Sequence, residues 1–386
     1  MLPTLLPLLY LPVAFGAVPR TIKLSARQGT KRNNGLVSGP LQNQFDGTDV
    51  AWYGNVSFGT PPQTFGITFE TGSFTVEITG IQCGDPCRNQ RKFNYTASST
   101  FVTKNETDRI DFEVGGSSDP SEIQAFDVLK ANDTMNILGI SILNFPFNII
   151  TNQTDLFTKD AFDGIIGMGY QTDGGIFPAL KQSGLPAVFS LYLTPQTVGG
   201  AEITLGGYDK SKTNGAEPTY ANILPPWVPS SNTSANFWSL KSSQLTVNGK
   251  TVDGNLFKDL PLVFDTSTYG MVLPTNLTQA IYAQVSPDIK PFGNSGTYAI
   301  SCSKIKNLPS EITFTFTSTA NAPFNLTIPS SELSSGPLPE DTSMCQTLIS
   351  AYDGYPLGIL GGALLKHYYS IWDVDNAQLG FVKNNF

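Results

Sequence analysis

The stretch "ITFETGSFTVEITG", residues 67–80, ends an apolar run at an acid, Glu70, and follows it at once with Thr71-Gly72-Ser73. The run alternates as a half-buried strand does, and Thr-Gly-Ser breaks it as a turn. The same design returns 195 residues later in "LPLVFDTSTYGMVLPT", residues 260–275, where Asp265 is followed by Thr266-Ser267-Thr268. A second pair of segments matches at nearly the same offset. Gly164-Ile165-Ile166-Gly167 in "DGIIGMG" and Gly358-Ile359-Leu360-Gly361 in "LGILGGALL" lie 194 residues apart. Two matches at nearly one long spacing indicate two similar halves, not a solenoid of short repeats.

The rest of the chain fits two β lobes. Its 386 residues suffice for two large cores. Only 14% of residues are charged, against about 25% in an average soluble protein. Gly (36), Pro (27) and Phe (25) are plentiful, as in a turn-rich all-β protein. From Ala51 onward, short β-branched and aromatic runs such as "WYGNVSFGT", "FSLYLT" and "ITFTFTST" alternate with Gly, Pro and Asn. Helical patterns are few, with "FPALKQSG" and "NLTQAIYAQV" the best candidates. The net charge of −8 with no basic cluster argues against a nucleic-acid partner.

The ends and the cysteines point to export. Residues 1–17, "MLPTLLPLLYLPVAFGA", read as a signal peptide, although no Lys or Arg stands at the start. A membrane anchor is the rival reading, but the run is short and interrupted by prolines. Residues 18–45 are polar, basic and poor in aromatics, and read as a propeptide or disordered arm with a dibasic pair at Lys31-Arg32. Eight Asn-X-Ser/Thr sites stand at Asn55, Asn94, Asn105, Asn132, Asn152, Asn232, Asn276 and Asn325, which favours a secreted, N-glycosylated protein. Four cysteines, Cys83, Cys87, Cys302 and Cys345, allow three disulfide pairings. Cys83-x-x-x-Cys87 has no His nearby, so disulfides are favoured over zinc, and no metal or organic cofactor is expected. The single His367 sits in "LLKHYYSIW" and reads as a satisfied structural residue. With no Gly-x-Ser-x-Gly elbow, a serine hydrolase is a poor reading.

Taken together, "WYGNVSFGTPPQTFGITFETGS", "FDGIIGMGY", "AEITLGGYD", "VFDTST" and "LGILGGALLKHYYSIWDVDNAQLGFV" resemble the pepsin-like aspartic peptidases, most like fungal secreted members. The resemblance covers residues 51 to 386. It implies a bilobal all-β fold with a central cleft, an N-terminal lobe at 46–210 and a C-terminal lobe at 211–386. It implies a monomer that takes a polypeptide in the cleft, without membrane association. By position, Glu70 and Asp265 become the catalytic pair, supported by Thr71, Gly72, Ser73, Thr266, Ser267 and Thr268. Two like carboxyls held close cannot both ionise, so one works as acid and one as base on a water. The family layout also implies bridges Cys83–Cys87 and Cys302–Cys345, each inside one lobe.

Several cleft positions depart from that pattern. Glu70 stands for the first Asp, which carries its carboxyl one methylene further out. A misplacement of about 1 Å can cost on the order of 100-fold in rate. Ser267 stands for a Gly, and its Cβ is expected to crowd the approach of backbone N–H groups to the carboxyl. At the flap, Val114 before Gly115 stands for a Tyr, and Glu77 stands for the Trp that supports it. Gly362 in Leu360-Gly361-Gly362 stands for an acid. The expectation is an aspartic endopeptidase relative with weak or lost activity. The alternative is a non-catalytic peptide-, protein- or glycan-binding protein that keeps the cleft. A glycosidase pair is disfavoured, because such carboxyls stand about 5 Å or more apart.

Overall fold

The computed structural model describes residues 31–33, 35–45, 47–112, 124–225, 237–308, 310–354 and 356–386. The expected signal peptide, the first part of the arm, the flap residues Val114 and Gly115 and the Asn232 site lie outside the described residues.

The alternating strands of the first half form one eight-stranded sheet. From edge to edge it runs Gln42–Phe45, Asp49–Phe58, Gln63–Glu70, Gly164–Gly167, Val76–Thr79, Ile140–Gln153, Gln124–Ile137 and Val102–Phe112. The second half forms a five-stranded sheet of Ser239–Lys241, Pro261–Phe264, Gly358–Leu360, Met271–Leu273 and Ile349–Ala351, with two four-stranded sheets around it. The chain therefore adopts the bilobal all-β fold. Phe177–Gln182 and Thr275–Val285 are helices, as their patterns indicate.

A seven-stranded sheet joins the halves. There Val188–Tyr192 pairs with Tyr368–Asp373, which pairs in turn with Gln378–Lys383. A buried aromatic seam backs it. The rings of Phe189 and Trp372 stack with centroids 5.6 Å apart, and Trp238 meets Trp372 edge-on at 5.4 Å. The Trp238 indole N–H donates to the Met168 carbonyl at 2.8 Å, so a second-half side chain holds a first-half loop.

The sequence duplication is also a structural one. Gly164–Gly167 runs parallel to Gln63–Glu70 and antiparallel to Val76–Thr79, with Gly167 beside Glu70. Gly358–Leu360 runs parallel to Pro261–Phe264 and antiparallel to Met271–Leu273, with Leu360 beside Phe264. In each lobe a strand leads to the acid, a return strand follows, and a third strand threads between them. The glycines permit this close approach. A Cβ on Gly167 would stand 2.7 Å from the Ser73 and Phe74 backbones, and one on Gly361 would run into the Thr268 carbonyl.

Both disulfides pair as the family layout implies. Cys83–Cys87 closes a tight loop in the first lobe, and Cys302–Cys345 spans 43 residues in the second.

The reading of residues 18–45 as an arm needs correction at its end. Leu36–Pro40 pairs with Glu202–Leu205 in the joining sheet, and Gln42–Phe45 pairs with Asp49–Tyr53 in the first lobe. Val37 and Leu41 are buried. The segment's polar composition hid this, because strand pairing satisfies backbone groups whatever the side chains are. A chain beginning at residue 46 should therefore be less stable than one beginning at Asn33 by about 3 kcal/mol or more, from the lost burial of two aliphatic side chains. Denaturant unfolding of the two chains measures the difference, and equal midpoints would show that the segment contributes nothing.

Candidate active site

Two threonines set the floor of the site. The strand Gln63–Glu70 and the strand Pro261–Phe264 bring Thr71 and Thr266 face to face. The Thr71 amide donates to Thr266 Oγ1 at 3.1 Å, and the Thr266 amide donates to Thr71 Oγ1 at 3.1 Å. Each hydroxyl then donates across the lobes: Thr71 Oγ1 to the Phe264 carbonyl at 3.0 Å, and Thr266 Oγ1 to the Phe69 carbonyl at 2.6 Å. Every donor and acceptor in this buried knot is matched, and it obeys the same two-fold relation as the sequence repeat.

The knot places Glu70 and Asp265 together, both fully buried. Their surroundings differ. Asp265 accepts from the Ser267 amide at 3.0 Å and from Thr268 Oγ1 at 2.7 Å. Glu70 Oε2 accepts from Ser73 Oγ at 3.0 Å, and Oε1 meets Ser267 Oγ at 2.7 Å. Ser267 Oγ also stands 2.8 Å from Asp265 Oδ1 and 3.0 Å from Oδ2. The expected crowding by the Ser267 Cβ is thus not what the geometry shows. The amide still reaches Asp265, and the added hydroxyl enters the space between the acids.

Burial raises the pKa of both carboxyls, and the charge of Asp265 raises Glu70 further. Two raised carboxyls this close do not both ionise, so the pair titrates as one unit.

The departures outside the pair have local physical partners. Glu77 is buried, and its Oε1 accepts from Asn148 Nδ2 at 3.1 Å. Burial pushes its carboxyl up to about 7. A Cβ on Gly362 would stand 2.8 Å from the Trp52 ring, so that ring fills the space an acidic side chain would need. The Trp52 indole N–H donates to the Thr194 carbonyl at 2.9 Å. Phe74, after Ser73, packs against Phe237 of the second half with ring centroids 5.6 Å apart.

One cluster escaped the sequence reading. Lys366 is buried and pairs with Asp49 at 3.0 Å and with Glu332 at 2.7 Å, and His367 Nε2 meets Glu332 at 3.0 Å. It links the start of the first lobe to the end of the second. A lysine inside the apolar run "ALLKHYY" was the available signal, since lysine is rarely buried unless paired. His367 is satisfied there, in keeping with its structural reading.

A carboxyl raised in the native state binds more protons folded than unfolded. Its contribution to stability is complete below the ordinary value near 4.5 and is lost as pH rises to the native value. For Glu77 that window runs from about 4.5 to about 7. At about 1.4 kcal/mol per unit, the loss across it is roughly 3 kcal/mol. Unfolding free energy should fall over this window, and Glu77→Gln should make the fall shallower, with the remainder coming from the Glu70–Asp265 pair. A parent equally stable at pH 4.5 and 7 would refute the assignment.

The comparisons agree with this geometry. Residues 51–384 match the family model for eukaryotic aspartyl protease. Gastricsin of Cavia porcellus is 28% identical over 343 residues, covering 86% of this chain and 80% of the relative. Pepsin-2B of Gadus morhua is 28% identical over 347 residues, covering 86% and 96%. Pepsin A of Rhinolophus ferrumequinum is 27% identical over 364 residues, covering 89% and 83%. A duplicated acid strand, an interlobe threonine knot and a family match across nearly all of the two lobes lead to one conclusion: the chain belongs to the eukaryotic aspartyl protease family.

Proposed function

We propose that this family member holds an extended polypeptide between its lobes and hydrolyses it weakly or not at all. The observation that carries this reading is the asymmetry of the acid pair. Asp265 receives the Ser267 backbone N–H and the Thr268 hydroxyl, whereas Glu70 is held by hydroxyls, those of Ser73 and Ser267. Hydrolysis needs both carboxyls aimed at one water and one carbonyl. The longer Glu70 side chain shifts one of them by about 1 Å, enough to cost on the order of 100-fold. The threonine knot and the glycine-backed loops support the cleft as a preserved binding site.

The test is kcat/KM on one peptide at pH 4 for the parent, Glu70→Asp, Ser267→Gly, Val114→Tyr and the triple variant. Glu70→Asp alone should gain little. The triple should exceed the product of the single effects, because residues acting as a unit are non-additive. A parent as fast as the triple would show Glu70 to be a fully working catalytic acid. A parent that binds the peptide without turnover would favour the purely binding alternative.

We also propose export, N-glycosylation and processing near Lys31-Arg32. Asn55, Asn105, Asn152, Asn276 and Asn325 are exposed, as glycan acceptors must be. Cleavage after Arg32 would leave the paired segment from Leu36 attached to the fold. N-terminal sequencing and the mass lost on enzymatic deglycosylation of secreted material test this. A start beyond Phe45, or no mass change, would contradict it.

A further inference from the structure

Ser267 Oγ touches three carboxyl oxygens: Glu70 Oε1 at 2.7 Å, Asp265 Oδ1 at 2.8 Å and Asp265 Oδ2 at 3.0 Å. A hydroxyl has one proton to give and two lone pairs. Ser267 has contacts to both acids but only one proton, so the hydroxyl bridges the pair.

A carboxyl pair that hydrolyses a peptide must hold a water in the same relation to itself. That water has to lie about 2.6–3.2 Å from an oxygen of each acid, so that one acid takes its proton while the other protonates the substrate. Ser267 Oγ meets this geometric requirement. Two oxygens cannot share the position, because hydrogen-bonded oxygens stay about 2.5 Å or more apart. The serine is buried, and its oxygen is tethered through Cβ to a loop backed by Gly361.

We propose that the Ser267 hydroxyl permanently replaces the hydrolytic water, so that the cleft selects intact peptides with a planar amide over tetrahedral, hydroxyl-bearing ligands. The proposal rests on reading the cleft as a polypeptide site and deepens that reading. An active pair favours a ligand hydroxyl that takes the water's place between the carboxyls, which is why mimics of the tetrahedral state bind about 100-fold or more tighter than substrates. Here the pair is already bridged. A ligand hydroxyl would have to displace a covalently attached one and would gain nothing.

The experiment uses two peptides that differ only in one hydroxyl, a statine-containing peptide and its des-hydroxy counterpart. Their Kd values are measured by calorimetry at pH 4.5 on the full mature protein and on Ser267→Gly and Ser267→Thr. The parent and Ser267→Thr should bind the two peptides with less than about a fivefold difference. Ser267→Gly should favour the hydroxyl peptide by about 100-fold, with the des-hydroxy Kd nearly unchanged. If Ser267→Gly fails to fold, the ratio in the parent decides. A parent that favours the hydroxyl peptide fivefold or more overturns the proposal. So does a covalent acyl adduct on Ser267 found by mass spectrometry after incubation with substrate peptide, since the hydroxyl would then be a nucleophile and not a bridge. A folded parent that binds neither peptide overturns the polypeptide-site reading and this inference together.

Discussion

The exchange of hydrogen bonds between Thr71 and Thr266 is the constraint on which the site depends. Four buried bonds cross from one lobe to the other. Leaving any of them unmade would strand a buried donor or acceptor, at about 1–3 kcal/mol each. The two acid-bearing strands therefore have one mutual position. Glu70 and Asp265 inherit it, whatever their own side chains would prefer.

Within that frame the two halves have diverged in chemistry while keeping their backbone relation. Asp265 keeps the Ser267 amide as a donor. Glu70 is longer and is held by hydroxyls. The serine hydroxyl stands between them, within hydrogen-bond distance of both. Glu70 and Ser267 thus form one physical unit, with a 2.7 Å contact joining them.

The other departures are absorbed in the same local way. Trp52 occupies the volume left by Gly362 and anchors its indole on Thr194. Glu77 is accepted in a buried strand because Asn148 donates to it and because it can hold a proton. Packing requires volume and hydrogen-bond partners, not a particular residue type. That is why the fold accommodates these residues.

The sequence by itself determined the fold and the duplication, and it marked Glu70 and Asp265 as the candidate acids. Periodicity, turn residues and a repeat at 194–195 residues are local or regular signals, and the strand ending at Glu70 and the strand ending at Phe264 follow from them directly. The sequence also marked Ser267 and Glu77 as departures. It did not disclose what they touch. The Ser267 hydroxyl meets a carboxyl 197 positions away, Lys366 meets Asp49 across 317 positions, and Leu36–Pro40 finds its partner strand beyond residue 200. Contacts of that kind are set by how the two lobes close on each other. Side-chain direction and proton sharing at the closure depend on distances of a few tenths of an ångström, which residue order along the chain does not encode and the tertiary structure decides.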